Sequence, residues 1–171
     1  MRYIAEDDNI EFVVSMPDQG WFGLVIDEGG MARGSDMIVF HADGEDSYVG
    51  DYHSTGYAPP AEDDNNDLSA QSIDEKDGNV IFIVTRLRKT DDAEDTEIPL
   101  EKNFTLGYAY NSRTSRLGYL GKHSTASSME TYLAEDGTPA IVPSPNSDDS
   151  GATTITTGVV SMVTAVVLAL F

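Results

Sequence analysis

The feature that most constrains the fold is the alternation of apolar and other residues in several short segments. Ile10, Phe12 and Val14 occupy every second position early in the chain, and residues 104–110 repeat the pattern with Phe, Leu, Tyr and Tyr. A period of two is typical of a β-strand with one buried face. Outside the C-terminal tail, no segment keeps an apolar period of 3.6 residues over three turns. We therefore expect an all-β fold.

The same criteria predict six to nine short strands, separated by turns rich in Gly, Pro and Asp. The clearest lie at 10–15, 21–26, 37–41, 47–52, 80–86, 104–110 and 125–133. We interpret the polar residues 58–78 as a long surface loop. The strand at 80–86 is the most apolar, so we expect both of its faces to be covered. Together these features predict an immunoglobulin-like antiparallel β-sandwich.

Charge and cysteine content exclude several functions. The 171 residues carry a formal net charge of −20, which would repel nucleic acid phosphates. This acidity suits a solvated surface, a basic protein partner or calcium ligation. There is no cysteine, which excludes disulfides, thiolate metal sites and covalently attached haem.

Two charged motifs have simple interpretations. The acidic segments DEGG, DGED and DDAED do not match the EF-hand calcium loop, so we interpret them as solvated turns with incidental calcium binding as the alternative. The basic cluster at residues 86–89 is expected to protect an edge strand. No nucleophile elbow, P-loop or zinc protease motif is present, so the residues give no support for a catalytic role.

One loop combines flexibility with a metal-binding atom. Met31 follows the strand at 21–26 and is flanked by glycines at 29, 30 and 34. Glycines allow close approach of a flat ligand, and a thioether can ligate haem iron. The second axial ligand would be one of the three histidines, His41, His53 or His123, of which we favour His123. The residues alone permit such a site without requiring it, because an isolated Met is commonly core packing.

Several segments together resemble a DOMON domain. They are GWFGLVIDEGGMARGSDMIVFHADG, YVGDYHSTGYAPPAEDDNND, GNVIFIVTRLRKTDDAEDTEIPL, FTLGYAYN and LGYLGKHS, within residues 3–134. This family includes the haem domain of cellobiose dehydrogenase and modules of dopamine beta-monooxygenase-type proteins. The family fold implied is an immunoglobulin-like β-sandwich.

The resemblance implies a b-type haem, held without covalent bonds, that transfers single electrons with a redox partner protein. The positions of the family's axial ligands fall on Met31 and His123, with Met37 as a rival to Met31. Since some family members bind no haem, the alternative is a haem-free module that binds a sugar or another small-molecule ligand, or that serves in adhesion. In that case Trp21, Tyr48, Tyr52 and Tyr57 are candidates for stacking on a sugar.

The C-terminal region differs in composition from the rest. We expect a DOMON domain at 1–134, a Pro/Ser/Thr-rich linker at 135–157 and a hydrophobic tail at 158–171. Small residues at 146–150 followed by the tail predict a GPI-attachment signal, with a membrane helix as the alternative. Either requires secretion, so we expect a signal peptide upstream of the present first residue and a cell-surface location. The sequon at Asn103 would then be glycosylated.

Overall fold

The regular structure consists of β-strands. The computed structural model describes residues 1–26, 30–112 and 121–138, and this part of the chain contains strands and no helix. In chain order the strands are β1 (Arg2–Ile4), β2 (Asn9–Pro17), β3 (Gln19–Ile26), β4 (Asp36–Asp43), β5 (Tyr48–His53), β6 (Ala61–Glu62), β7 (Ser69–Lys76), β8 (Asn79–Leu87), β9 (Asn103–Asn111) and β10 (Thr125–Tyr132). The predicted all-β fold is confirmed.

Within the described residues the strands form two antiparallel sheets. The four-stranded sheet has the order β1-β2-β8-β7, and the six-stranded sheet has the order β10-β9-β3-β4-β5-β6. Buried side chains of both sheets share one apolar cluster. The two sheets therefore pack face to face, as predicted for a β-sandwich.

The core lies between the sheets and follows the predicted alternation. In β8, Val80, Phe82 and Val84 are each fully buried. Phe82 meets Phe40 of β4 edge to face, with ring centroids 5.5 Å apart. This contact joins the two sheets at the centre of the core. Full burial of one phenylalanine side chain contributes about 1.5–3 kcal/mol of transfer free energy.

The prediction of a long loop at residues 58–78 is wrong, because this region contains β6 and β7. The sequence of β7, SAQSIDEK, has no apolar alternation. It is nevertheless paired with β8 along its length, with a register shift between Ala70 and Ser72. Polar residues are acceptable there because β7 is at the edge of its sheet. The short strand β1 was not predicted either.

Two expectations about β8 are also wrong. Ile81 and Ile83 are only half-buried, so one face of this strand is covered well and the other partly. The basic cluster at residues 86–89 does not protect an edge, because β8 lies between β2 and β7. Its first residue, Arg86, is only 1% exposed. The position of the strand in the sheet, which local sequence does not encode, decides both outcomes.

The last described strand, β10, is an edge strand of the six-stranded sheet. β10 pairs with β9 from Thr125 to Tyr132, and Leu133 is fully buried in the core. The tail at 158–171 and most of the predicted linker lie outside the described residues. In the described part, no helix is long and apolar enough to cross a bilayer.

Candidate functional site

The candidate site lies on the face of the six-stranded sheet that points away from the core, which we call the outer face. Every second residue of β3 and β4, including Phe22 and Phe40, points into the core. Alternate residues of these strands are therefore on the outer face, where the ladder pairs Trp21 with His41, Gly23 with Val39 and Val25 with Met37.

The centre of the outer face has a low profile because several of its positions are glycines. A Cβ added to Gly23 would lie 3.5 Å from the Trp21 ring. A Cβ added to Gly50 would lie 2.6 Å from the Tyr52 ring, which is too close for a real contact. The Trp21 ring therefore lies over Gly23, and the Tyr52 ring lies over Gly50. Any side chain at position 50 would clash with the Tyr52 ring.

Met31 lies at one end of the outer face. Its half-buried side chain packs against the apolar cluster of Val25, Met37, Val39 and Tyr52. The rival ligand Met37 is in the same cluster and is 5% exposed, so it is less accessible than Met31.

Backbone hydrogen bonds hold the Met31 loop in place. The Gly34 N–H donates to Ser54 O at 2.7 Å, and the Ser54 N–H donates to Ser35 O at 2.8 Å. Gly34 has a φ of +83°, which a residue with a side chain rarely adopts. The loop is therefore fixed to the end of β5.

A shallow depression lies beside Met31. It is lined by residues 30–33 and 55–57 and has a volume of about 560 Å³. Tyr57 on its rim is fully exposed, whereas Trp21 and Tyr52 are each 6% exposed. Of the four aromatic residues considered for sugar stacking, Tyr57 is thus the accessible one, and the remaining Tyr48 is stacked on His41.

His123 lies near the opposite end of β3. The segment that carries it is held by two hydrogen bonds, from Trp21 Nε1 to Gly121 O at 3.2 Å and from Asn111 Nδ2 to Lys122 O at 2.6 Å. Trp21 and Val25, which mark the His123 end and the Met31 end, are four residues apart, or about 13 Å along a strand. Met31 and His123 thus lie near opposite ends of β3, with the low-profile centre of the outer face between these ends.

The other two histidines are in different environments. His41 is on the outer face and fully buried, with its ring 4.9 Å from that of Tyr48. Neither ring nitrogen of His41 has a hydrogen-bond partner among the described residues. Burial lowers the pKa of the His41 imidazole, so it is neutral at pH 7. His53 pairs with Asp36 at the end of β5, so it does not share the outer-face parity of Tyr52, and it contacts Asp63 and Glu94.

The sequence analysis named His41 as a candidate ligand but did not predict its burial. A signal was available, because Met37, Val39 and His41 have the same parity in one strand. Parity places His41 on the outer face, but its burial depends on Trp21 and Tyr48 in the neighbouring strands.

A buried ionic network lies behind the Met31 loop. Arg86 Nη1 donates to both carboxylate oxygens of Asp36, at 3.0 and 3.1 Å, and to Asp95 Oδ1 at 3.2 Å. The Thr96 N–H also donates to Asp36, at 2.8 Å. Burial raises the pKa of Asp36 to about 6 and that of Asp51 to about 7. This network attaches the loop before β9 to the start of β4.

Asn103 is exposed at the start of β9, and its amide contacts Glu130 of β10. An exposed position is what glycosylation requires, and modification of Asn103 stays a prediction.

Comparison with known proteins identifies a family and two similar structures. A family model described as DOMON domain matches residues 1–111. The cytochrome b domain of pyranose dehydrogenase from Coprinopsis cinerea is 20% identical, with a TM-score of 0.60, and the match covers 76% of this chain and 72% of that chain. The cytochrome domain of Myriococcum thermophilum cellobiose dehydrogenase is 15% identical, with a TM-score of 0.57 and coverage of 76% and 69%. No curated protein sequence matches the chain. At these identities the two structures share a fold with this chain.

Proposed function

This chain belongs to the DOMON domain family, and from that membership we propose that it binds haem b without covalent bonds and transfers single electrons. Two solved domains with the same fold are named as cytochrome domains, which supports the proposal. The lack of cysteine is compatible with a non-covalent cofactor.

The observation that carries the proposal is the packing of Met31. Its thioether belongs to a loop that is hydrogen-bonded to the end of β5, and its side chain rests on the apolar cluster of the outer face. Met31 and His123 would hold the haem iron, since a thioether and a neutral imidazole are both established donors to haem iron. Met31 and His123 fit haem chemically, because the outer face between them is apolar and its glycines leave it without protruding side chains.

When bound, haem supplies a reversible one-electron couple at iron. The protein's own contribution is to bind and to protect. Val25, Val39 and Tyr52 form an apolar surface that shields one side of the Met31 side chain from water. A thioether carries no proton at any accessible pH, so Met31 can ligate without losing one. Histidine must lose its proton to ligate, and burial favours that state for His41.

His41 is the alternative to His123 as the second ligand. It lies on the outer face itself, is neutral, and has both nitrogens unpartnered among the described residues. A buried polar group without a partner is costly, and iron ligation would satisfy one nitrogen. The spectra of the His41→Ala and His123→Ala variants distinguish between the two histidines.

The test is the visible absorption spectrum of the full chain, purified in mild detergent after expression with haem supplied. We expect sharp α and β bands in the reduced protein, as haem iron held by a thioether and an imidazole would give. Met31→Ala and His123→Ala should each lose or alter these bands. Met129→Ala and His53→Ala are matched controls away from the outer face and should retain them.

Other outcomes decide between the alternatives. If His41→Ala removes the bands and His123→Ala does not, His41 is the ligand and the assignment of His123 is wrong. A protein that stays colourless after haem addition contradicts the whole proposal and favours a haem-free binding or adhesion module. In that case Tyr57 is the residue to test first for ligand binding, since it is fully exposed.

We propose that the partner is a redox protein with a basic surface, because the net charge of −20 would attract one. Electron transfer to a basic acceptor protein should therefore slow as ionic strength rises. An acceptor rate that is independent of salt would contradict this choice of partner.

We also propose that the protein is attached to the cell surface through its C-terminal tail. A GPI anchor predicts release from cells by phosphatidylinositol-specific phospholipase C, whereas a membrane helix predicts retention. Glycosylation at Asn103 predicts a smaller apparent mass after deglycosylation and in Asn103→Gln. Protein found only in the cytosol would contradict both expectations.

A further inference from the structure

His53, Asp63 and Glu94 form a cluster outside the candidate haem site. His53 ends β5, Asp63 follows β6 directly, and Glu94 lies in the segment between β8 and β9. One ligand atom from each residue lies within 4.8 Å of the others. Three separate segments of the chain thus present an imidazole nitrogen and two carboxylate oxygens to one point.

Asp63 gives an independent indication of a bound ion. Its side chain is 1% exposed, and its Oδ1 contacts His53 Nδ1. Its Oδ2 is buried and has no hydrogen-bond partner among the described residues. A buried carboxylate oxygen without a donor is costly, and a bound cation is one way to offset that cost.

One spacing in the cluster matches that of ligand atoms around a small divalent ion, whereas His53 Nδ1 and Asp63 Oδ1 are in direct hydrogen-bonding contact, which an ion bound to both atoms would replace. His53 Nδ1 and Glu94 Oε1 are 3.3 Å apart. In a tetrahedral site with bonds of about 2.0–2.1 Å, ligand atoms lie about 3.3 Å from one another. Glu94 and His53 are 38% and 25% exposed in their side chains, so an ion has access from solvent and a position remains for water.

The surroundings add negative charge. The Asp63 N–H donates to Asp51 O at 3.1 Å, which brings the cluster next to the buried carboxylates of Asp51 and Asp95. Each of those carboxylates also has one oxygen without a partner among the described residues. Arg86 supplies one positive charge against them. A bound cation would offset part of this surplus.

We propose that His53, Asp63 and Glu94 bind one divalent transition-metal ion of the Zn²⁺ type. The imidazole ligand favours such an ion over Ca²⁺, which takes oxygen ligands. The ion would fasten together the end of β5, the residues after β6 and the segment before β9.

The experiment uses the full chain in mild detergent, without haem, after removal of metals with EDTA. Isothermal titration with Zn²⁺ should show one site per chain, and Zn²⁺ should raise the Tm. His53→Gln, Asp63→Asn and Glu94→Gln should each weaken binding at least about tenfold. Asp64→Asn changes the same charge at the neighbouring exposed position and should stay within about twofold of the parent.

The outcome is decisive in each case. Absence of Zn²⁺ binding, or binding that all three cluster variants retain, overturns the proposal and leaves an ion pair between His53 and its two carboxylates. Glu94→Gln tests the site even if Asp63→Asn does not fold, because Glu94 is partly exposed. Zn²⁺ binding should persist in Met31→Ala and His123→Ala, so this result does not depend on the haem proposal.

Discussion

Replacement of Arg86 by methionine tests the buried ionic network most directly. The Arg86 side chain is fully buried and donates to Asp36, Asp95 and the carbonyl oxygen of Thr96. Methionine retains most of the apolar contact but removes the charge, so two buried carboxylates lose their cation. Removing one partner of a buried pair costs about 3–5 kcal/mol, which is a large part of the 5–15 kcal/mol typical for a domain.

Arg88→Met is a matched control two residues further along the chain. The Arg88 side chain is 19% exposed, and its partners Asp8 and Glu97 are 45% and 50% exposed. Pairs of this kind contribute up to about 1 kcal/mol. Arg86→Lys should fall between the two variants, because lysine keeps the charge but lacks the planar fork of donors.

Urea unfolding, followed by the fluorescence of Trp21, measures the free energy of unfolding of the parent and of each of the three variants. We expect the loss in Arg86→Met to be smaller at pH 5 than at pH 7. The pKa of Asp36 is about 6 even beside Arg86, so at pH 5 its carboxyl is protonated and Asp36 no longer leaves an uncompensated charge in the variant. Equal stability of Arg86→Met and the parent at pH 7, or an equal loss at both pH values, would refute the reasoning.

Three further predictions concern stability. Gly20→Ala should cost at least about 1 kcal/mol in urea unfolding, because φ is +126° there and the new Cβ would lie 2.4 Å from Asn111 O. Phe82→Ala should cost about 3–5 kcal/mol, whereas Val13→Ala, at a 43% exposed position, should cost less than about 1 kcal/mol. The parent should lose stability as the pH rises from 4 to 7: burial raises the pKa of Asp36 from 3.8 to about 6, so this contribution is complete below pH 4 and is lost through pH 6, by about 3 kcal/mol. A pH titration of the urea midpoint checks the last of these, and a midpoint that rises over this range would contradict it.

The predictions that succeeded rest on local pattern. β3, β4, β8 and β9 were all foreseen from their apolar residues, because alternation decides which side chains a strand can bury. β7 was missed for the same reason, since its residues show no alternation and pairing with β8 determines its structure. The family resemblance, which rests on motifs spread along the chain, is confirmed.

The candidate haem site was predictable in part. Glycines around a methionine at the end of a strand drew attention to Met31, and the strand register then placed it against the outer-face cluster. The burial of His41 could not be foreseen, because it depends on the side chains of the strands on both sides. The roles of Met31 and His123 in ligation stay predictions.

By itself, the sequence determined the strand-forming segments, the absence of thiol chemistry and the acidity of the surface, because each is a property of residues close together or of their sum. Only the tertiary structure decided that Arg86 is buried among carboxylates, and that His53, Asp63 and Glu94 meet at one point. Burial and electrostatic interaction act through space, and the order of strands in the sheets determines which distant residues are neighbours.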